Sequence, residues 1–143
     1  MKQIIFVTIS LLLSVAFSGC RTSLREEVVS TFENGRPAVV HCYNRQGQLV
    51  LEKDYYESGA LMMEGAMAND LRNGDWTSYF PDGIVQSTGT FKDGVRVGLS
   101  KVFHENGQLW MEGNYIDDHK CGEWVFYDEQ GYEIERRSFG SCD

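Results

Sequence analysis

Apolar and polar residues alternate along this chain in runs of six to nine, and nearly every run stops at a turn that carries glycine. The runs are rich in Val, Tyr, Phe and Thr, which suit a pleated, half-buried strand. Short turns close at Gly35, Gly47, Gly59, Gly83, Gly107 and Gly131, in the stretches ENG, RQG, ESG, PDG, ENG and EQG. They alternate with longer ones, NDLRNG (69–74), KDGVRVG (92–98) and DDHKCG (117–122), so the chain reverses at a short and regular interval. Asn-Gly and Asp-Gly between apolar runs favour type I′ hairpins, because both central residues of that turn need positive φ. The pattern predicts an all-β fold: an antiparallel β-meander of repeated hairpins, roughly ten strands in an elongated single sheet, with no helix after the N-terminal segment.

The turns keep a longer period as well. Gly59, Gly83, Gly107 and Gly131 recur with a constant period of 24, and Tyr55, Tyr79, Phe103 and Tyr127 precede them in the same phase. Gly65, Gly89 and Gly113 keep that phase too, as do Met67, Phe91 and Tyr115, and Gly74, Gly98 and Gly122. Trp76 and Trp124 fill a further column that Ser100 interrupts. Several columns kept in phase mark an internal repeat. They resemble the bacterial variant of the MORN repeat, with units of the form Y-x-x-x-G-x-L-x-x-E-G-x-Y followed by G-x-W. The best match is Phe103, Gly107, Leu109, Glu112, Gly113, Tyr115, Gly122 and Trp124. The unit from Tyr55 to Trp76 follows closely, and the unit from Tyr79 departs at Thr88 and Ser100. The resemblance implies repeats over residues 55–139, with degenerate hairpins over 28–54 and a tail at 140–143.

Two-residue loops at the short turns would pair Phe103 with Trp110, Val102 with Met111 and Lys101 with Glu112, and Tyr55 with Met62 and Lys53 with Glu64. Lys then faces Glu in both hairpins, a pairing worth about 0.2–1 kcal/mol. The same register sets Trp76 opposite Gly89, where a residue without a side chain leaves room for a ring. Alternation then defines two faces. One carries Leu61, Met63, Met67, Trp76, Phe80, Val85, Phe91, Val102, Leu109, Met111, Tyr115, Trp124 and Phe126 and is the expected core. The other carries a cross-strand stripe, Tyr55, Met62, Tyr79, Gln86, Phe103, Trp110, Tyr127 and Ile134, flanked by Lys53, Glu64, Lys101 and Glu112. Cross-strand stacking or cover from residues 24–50 would make the stripe structural. An uncovered stripe would be a site for a protein partner, centred on Tyr55, Met62, Tyr79, Phe103, Trp110 and Tyr127.

The segment 1–19 stands apart from this pattern. Lys2 precedes an apolar and small-residue run from Ile4 to Phe17, too short for a comfortable membrane span and suited to a signal peptide. It ends in FSGC, which resembles a bacterial lipoprotein signal. The resemblance implies cleavage before Cys20, lipid on that cysteine, a linker over 20–27 and a place in the cell envelope. Arg21 after the cysteine favours the outer membrane over the inner. Removal of Lys2 takes the 13 basic residues of the 143-residue chain to 12, against 21 acidic ones, a net charge of −9. Such a surface is a poor match for nucleic acid, whose nonspecific affinity comes from phosphate neutralisation. Membrane contact is expected through the lipid on Cys20.

Three cysteines remain beyond Cys20. At about 4.8 Å per strand, Cys42 and Cys121 would lie on the order of 30 Å apart, far beyond disulfide reach. Cys121 and Cys142 are separated by a little less than one period and can bridge if the tail folds back, which leaves Cys42 a free, buried thiol. Asp117, Asp118, His119 and Cys121 include metal-ligand types but lack a second cluster at zinc spacing, so a solvated hairpin end is expected and no metal or cofactor. His104 beside Glu105 and His41 beside Cys42 are isolated, and no nucleophile, base and orienting group come together in the pattern. The reading is a non-enzymatic, lipid-anchored repeat scaffold for protein–protein interaction. Proteins with such repeats are also grouped with a toxin–antitoxin family of the YwqK type, which implies the alternative of an antitoxin or immunity-like neutraliser.

Overall fold

The computed structural model describes residues 24–143, so the signal segment and Cys20 lie outside the described residues. Ten strands follow one another: β1 (Arg25–Thr31), β2 (Pro37–Tyr43), β3 (Leu49–Tyr55), β4 (Leu61–Ala68), β5 (Leu71–Tyr79), β6 (Val85–Lys92), β7 (Val95–Phe103), β8 (Leu109–Ile116), β9 (His119–Tyr127) and β10 (Glu133–Ser138). They form one antiparallel sheet whose spatial order is the chain order. Every strand therefore depends on its sequence neighbours alone, the quasi-one-dimensional arrangement of repeat proteins. Pairing begins at Arg25, inside the stretch 20–27 read as a linker.

The two kinds of turn exchange roles relative to expectation. Two-residue type I′ loops occupy the longer turns, at Asn69-Asp70 (φ 51° and 61°), Asp93-Gly94 (50° and 86°) and Asp117-Asp118 (48° and 65°). Asn and Asp tolerate the left-handed region well enough to form two of the three without glycine. The short turns are three-residue loops instead. In the turn between β7 and β8, Gly107 N–H donates to the His104 carbonyl (2.9 Å) and His104 N–H to that of Gln108 (2.8 Å), with Gly107 at φ 81°. That is a type I turn followed by a glycine bulge.

A second bulge follows each such turn and restores the register. Phe103 pairs with Leu109, whereas Val102 pairs with Met111 and Lys101 with Glu112. Likewise Tyr55 pairs with Leu61, Tyr79 with Val85 and Tyr127 with Glu133, while Lys53 still faces Glu64. The expected pairs Tyr55–Met62 and Phe103–Trp110 are thus corrected by one residue near the turns, and the expected register holds further along the strands. A slip of one residue carries side chains to the opposite face. Leu61, Val85 and Leu109 accordingly leave the expected core and join the row of aromatics.

Burial is sparse. Among the described residues the buried apolar side chains are Val40, Cys42, Leu49, Trp76, Cys121 and Trp124. Trp76 and Trp124 share one face with Met63, Val102, Met111 and Phe126, as the cross-strand pairs require. Val40 and Cys42 share the other with Lys53, Glu64, Lys101 and Glu112. A single layer leaves both faces wet, so stability concentrates where a large ring can be covered by its own repeat.

Candidate functional site

On the aromatic row, half-buried tyrosines are tied to carboxylates. Tyr79 Oη–H donates to Glu64 and Tyr127 Oη–H to Glu112, each at 3.3 Å. Burial raises both phenols above their ordinary value, and the neighbouring carboxylates add to it. Lys101 lies 3.4 Å from Glu112, while Lys53 turns from Glu64 to bond Glu26 at 2.8 Å. Of the expected stripe, Tyr55, Met62, Tyr79, Phe103 and Tyr127 are half-buried, and Trp110 is 42 % exposed.

Trp110 is the extra residue of the β8 bulge and has no partner on β7. Its ring lies 6.0 Å from that of His104. With Phe80, Gln86 and Phe103, these two rings line a groove of about 700 Å³. His104 is held from behind: its Nε2–H donates to the Tyr127 carbonyl at 3.0 Å, just as Tyr56 Oη–H donates to the Tyr79 carbonyl at 2.8 Å in an earlier repeat. His104 therefore does the positional work of a tyrosine, joining one repeat to the next. The structure brings Phe103 and Trp110 to one groove and leaves Tyr55 several strands away.

The face that carries Trp76 and Trp124 holds a feature missing from the expected site. The cations Arg72, Arg96 and Lys120 recur with the same period as the glycines, two places before Gly74, Gly98 and Gly122. Those glycines have positive φ (113°, 67° and 65°), and register shifts accompany them. The irregularity brings the residue two before the glycine over the one two after it. The Arg72 guanidinium stands 3.9 Å above Trp76, and the Lys120 ammonium 4.1 Å above Trp124. Beneath each indole is a strand glycine: a Cβ on Gly65 would lie 2.2 Å from Trp76, and one on Gly113 2.3 Å from Trp124. Trp76 does pair with Gly89 as expected, but its ring lies across Gly65. The indole N–H groups donate to the carbonyls of Ala66 (3.0 Å) and Asn114 (3.2 Å), so neither buried donor is orphaned.

The DDHKC turn directs its groups apart. Asp118 accepts from the Arg96 backbone N–H (3.0 Å) and Nε–H (3.2 Å), and the first of these holds its carboxyl below the ordinary value. His119 Nδ1–H donates to the Asp117 carbonyl at 2.6 Å. Cys121 is bonded to Cys142, with Cα atoms 5.1 Å apart. Beside the bridge Gly122 N–H donates to the Gly140 carbonyl, and Phe139 comes to 6.3 Å from Trp124. Cys42 is free and buried, and burial pushes its thiol up. His41 lies 3.0 Å from Glu52, and Arg72 lies 3.9 Å from the same carboxylate. Burial raises the adjacent Asp54 carboxyl, and Glu52 adds to the effect. Among the described residues no three His, Cys, Asp or Glu side chains are placed to hold a metal ion.

An open sheet of stacked hairpins, with a repeated spacing of cation, glycine and indole, defines a repeat scaffold. Residues 72–93 and 96–117 each match the MORN repeat variant, so the chain carries two recognised units of that repeat. They begin at Arg72 and Arg96, so each matched unit opens on the cation of the column. No curated protein matches the chain.

Proposed function

We propose that this chain is a non-enzymatic, lipid-anchored scaffold of the bacterial cell envelope that binds a protein partner through the groove at Trp110. The observation that carries the reading is a bulged, 42 % exposed tryptophan on a groove of about 700 Å³ lined by Phe80, Phe103 and His104. Tryptophan is over-represented among the residues that dominate protein interfaces. The bulge matters because it frees Trp110 from cross-strand pairing, while its neighbours Leu109 and Met111 remain paired with β7. The net charge of −8 argues against nucleic acid as the partner. Anchoring rests on the FSGC motif at Cys20, with the outer membrane favoured over the inner.

Cross-linking and pull-down from native membranes test the reading, with the acylated chain against Cys20→Ala and Trp110→Ser. Cys20→Ala should lose membrane association, and retention would overturn the lipid anchor. Trp110→Ser should release the captured partner at least tenfold more readily while the fold persists. Unchanged capture would remove the groove from the interface. The neutraliser alternative differs in the identity of the partner, and a co-transcribed toxin-like protein in the captured fraction would favour it.

A further inference from the structure

The positions 76, 100 and 124 are equivalent by the repeat period, and they carry Trp, Ser and Trp. Each indole sits in a box assembled by its own repeat. Trp124 has Gly113 beneath it, Lys120 above it at 4.1 Å, and two rings at its edges, Tyr115 at 5.2 Å and Phe139 at 6.3 Å. Trp76 has Gly65 beneath, Arg72 above at 3.9 Å and Phe91 at 6.1 Å. In both boxes the cation also reaches the ring on the far side, Phe91 at 5.6 Å and Phe139 at 5.5 Å.

The middle repeat has every part of this box except the indole. Gly89 is the floor, and a Cβ there would meet only Ser100, at 3.6 Å and 3.9 Å. Phe91 and Tyr115 are the edge rings, in the places that Tyr115 and Phe139 hold around Trp124. Arg96 is the lid, with its guanidinium already 4.7 Å above Tyr115. The carbonyl corresponding to those of Ala66 and Asn114 is that of Thr90. Between these groups lies a cavity of about 260 Å³, bordered further by Met63 and Met111.

We propose that this cavity receives the indole ring of a tryptophan side chain supplied by a bound protein partner. The proposal rests on the scaffold reading and names the chemistry of one contact. The chain's own two indoles show what fits between a glycine floor and a cationic lid. A cationic side chain is disfavoured by Arg72 and Arg96, which both line the cavity. An anion finds those guanidiniums already faced by Glu52 at 3.9 Å and Asp118 at 3.2 Å. An aliphatic side chain would fill volume but forfeit the stacking under Arg96 that a flat π-system gains.

The test is titration of the full chain with N-acetyl-tryptophanamide, with N-acetyl-leucinamide as control, read by the methyl resonances of Met63 and Met111. Saturable shifts with a dissociation constant of roughly millimolar order are expected for the indole alone, given the small area one ring can bury. Ser100→Trp should fold, melt at higher temperature than the parent and lose those shifts, because its own ring occupies the box. Absence of saturable shifts overturns the proposal, and so does their survival in Ser100→Trp. Failure of Ser100→Trp to fold also overturns it, because the middle box would then not match its neighbours. The captured partner supplies the last arm, where Ser100→Trp should weaken binding at least tenfold. Unchanged partner affinity beside a positive amide titration overturns the partner's tryptophan and leaves the scaffold reading standing. Loss of all partner capture from the parent chain itself sinks the scaffold reading, whatever the amide does.

Discussion

The outer repeats and the middle one share a backbone, a glycine floor and a cation, and differ at the position that carries the indole. Trp76 and Trp124 are 5 % and 1 % exposed, among the few buried residues of the sheet, whereas Ser100 is half-buried and donates a modest hydrogen bond to the Thr88 carbonyl at 3.2 Å. One layer of sheet cannot bury a broad core, so it buries isolated large rings between local partners. Stability is therefore lumpy along the array, concentrated at two places and thin between them. The repeat that contributes least to holding the sheet is the one with space to hold something else.

Substitutions at equivalent positions break or sharpen this contrast. The largest effect is expected for Trp124→Ala, which should cost about 3–5 kcal/mol in urea unfolding, as for other buried aromatics. Ser100→Ala should stay within about 1 kcal/mol, the value of one ordinary hydrogen bond. Equal losses at the two positions would show that the sheet does not rely on its indoles.

Cys142→Ser should cost about 3 kcal/mol, because its bridge to Cys121 closes a loop that includes the last hairpin. A reductant should lower the melting temperature of the parent and leave that of Cys142→Ser unmoved. The glycine floors should split in the same way. Gly113→Ala forces a methyl into the Trp124 ring and should cost at least about 1–3 kcal/mol. Gly89→Ala meets only ordinary contacts and should be neutral or stabilising by about 0.4–1 kcal/mol through the unfolded chain. The smallest difference is expected at the lids. Lys120→Met should cost about 0.5–1 kcal/mol by loss of the cation–π contact with Trp124. Salt should change that cost little, since the partner is a ring and not a carboxylate.

The strands, their order and the interior register were legible because the strand alternation and the longer repeat are both written in side-chain chemistry. The local slip at the turns was not. Asn106-Gly107 satisfies the positive φ of a two-residue loop and that of a three-residue loop with a glycine bulge equally well, so the dipeptide cannot choose between them. Asn69-Asp70 and Asp117-Asp118 form the tighter loop without any glycine, against the usual signal. Within the stripe, the nearness of Tyr79 and Tyr127 to the flanking Glu64 and Glu112 follows from alternation alone. The partner of Trp110 was misread, because the bulge removes it from the ladder. The cation column at Arg72, Arg96 and Lys120 was readable by the same phase as the glycines. What the phase could not convey is that a left-handed glycine folds the cation back over the indole, which is a matter of backbone geometry and leaves no mark of its own.

Phe139 lies one full period beyond Tyr115, in the column of edge rings, yet it belongs to no strand. The segment after β10 thus supplies an edge ring of Trp124 without pairing as a strand, and the Cys121–Cys142 bond holds it in place. That ring would be clamped on Trp124 where thiols are oxidised and free to lift away where they are kept reduced.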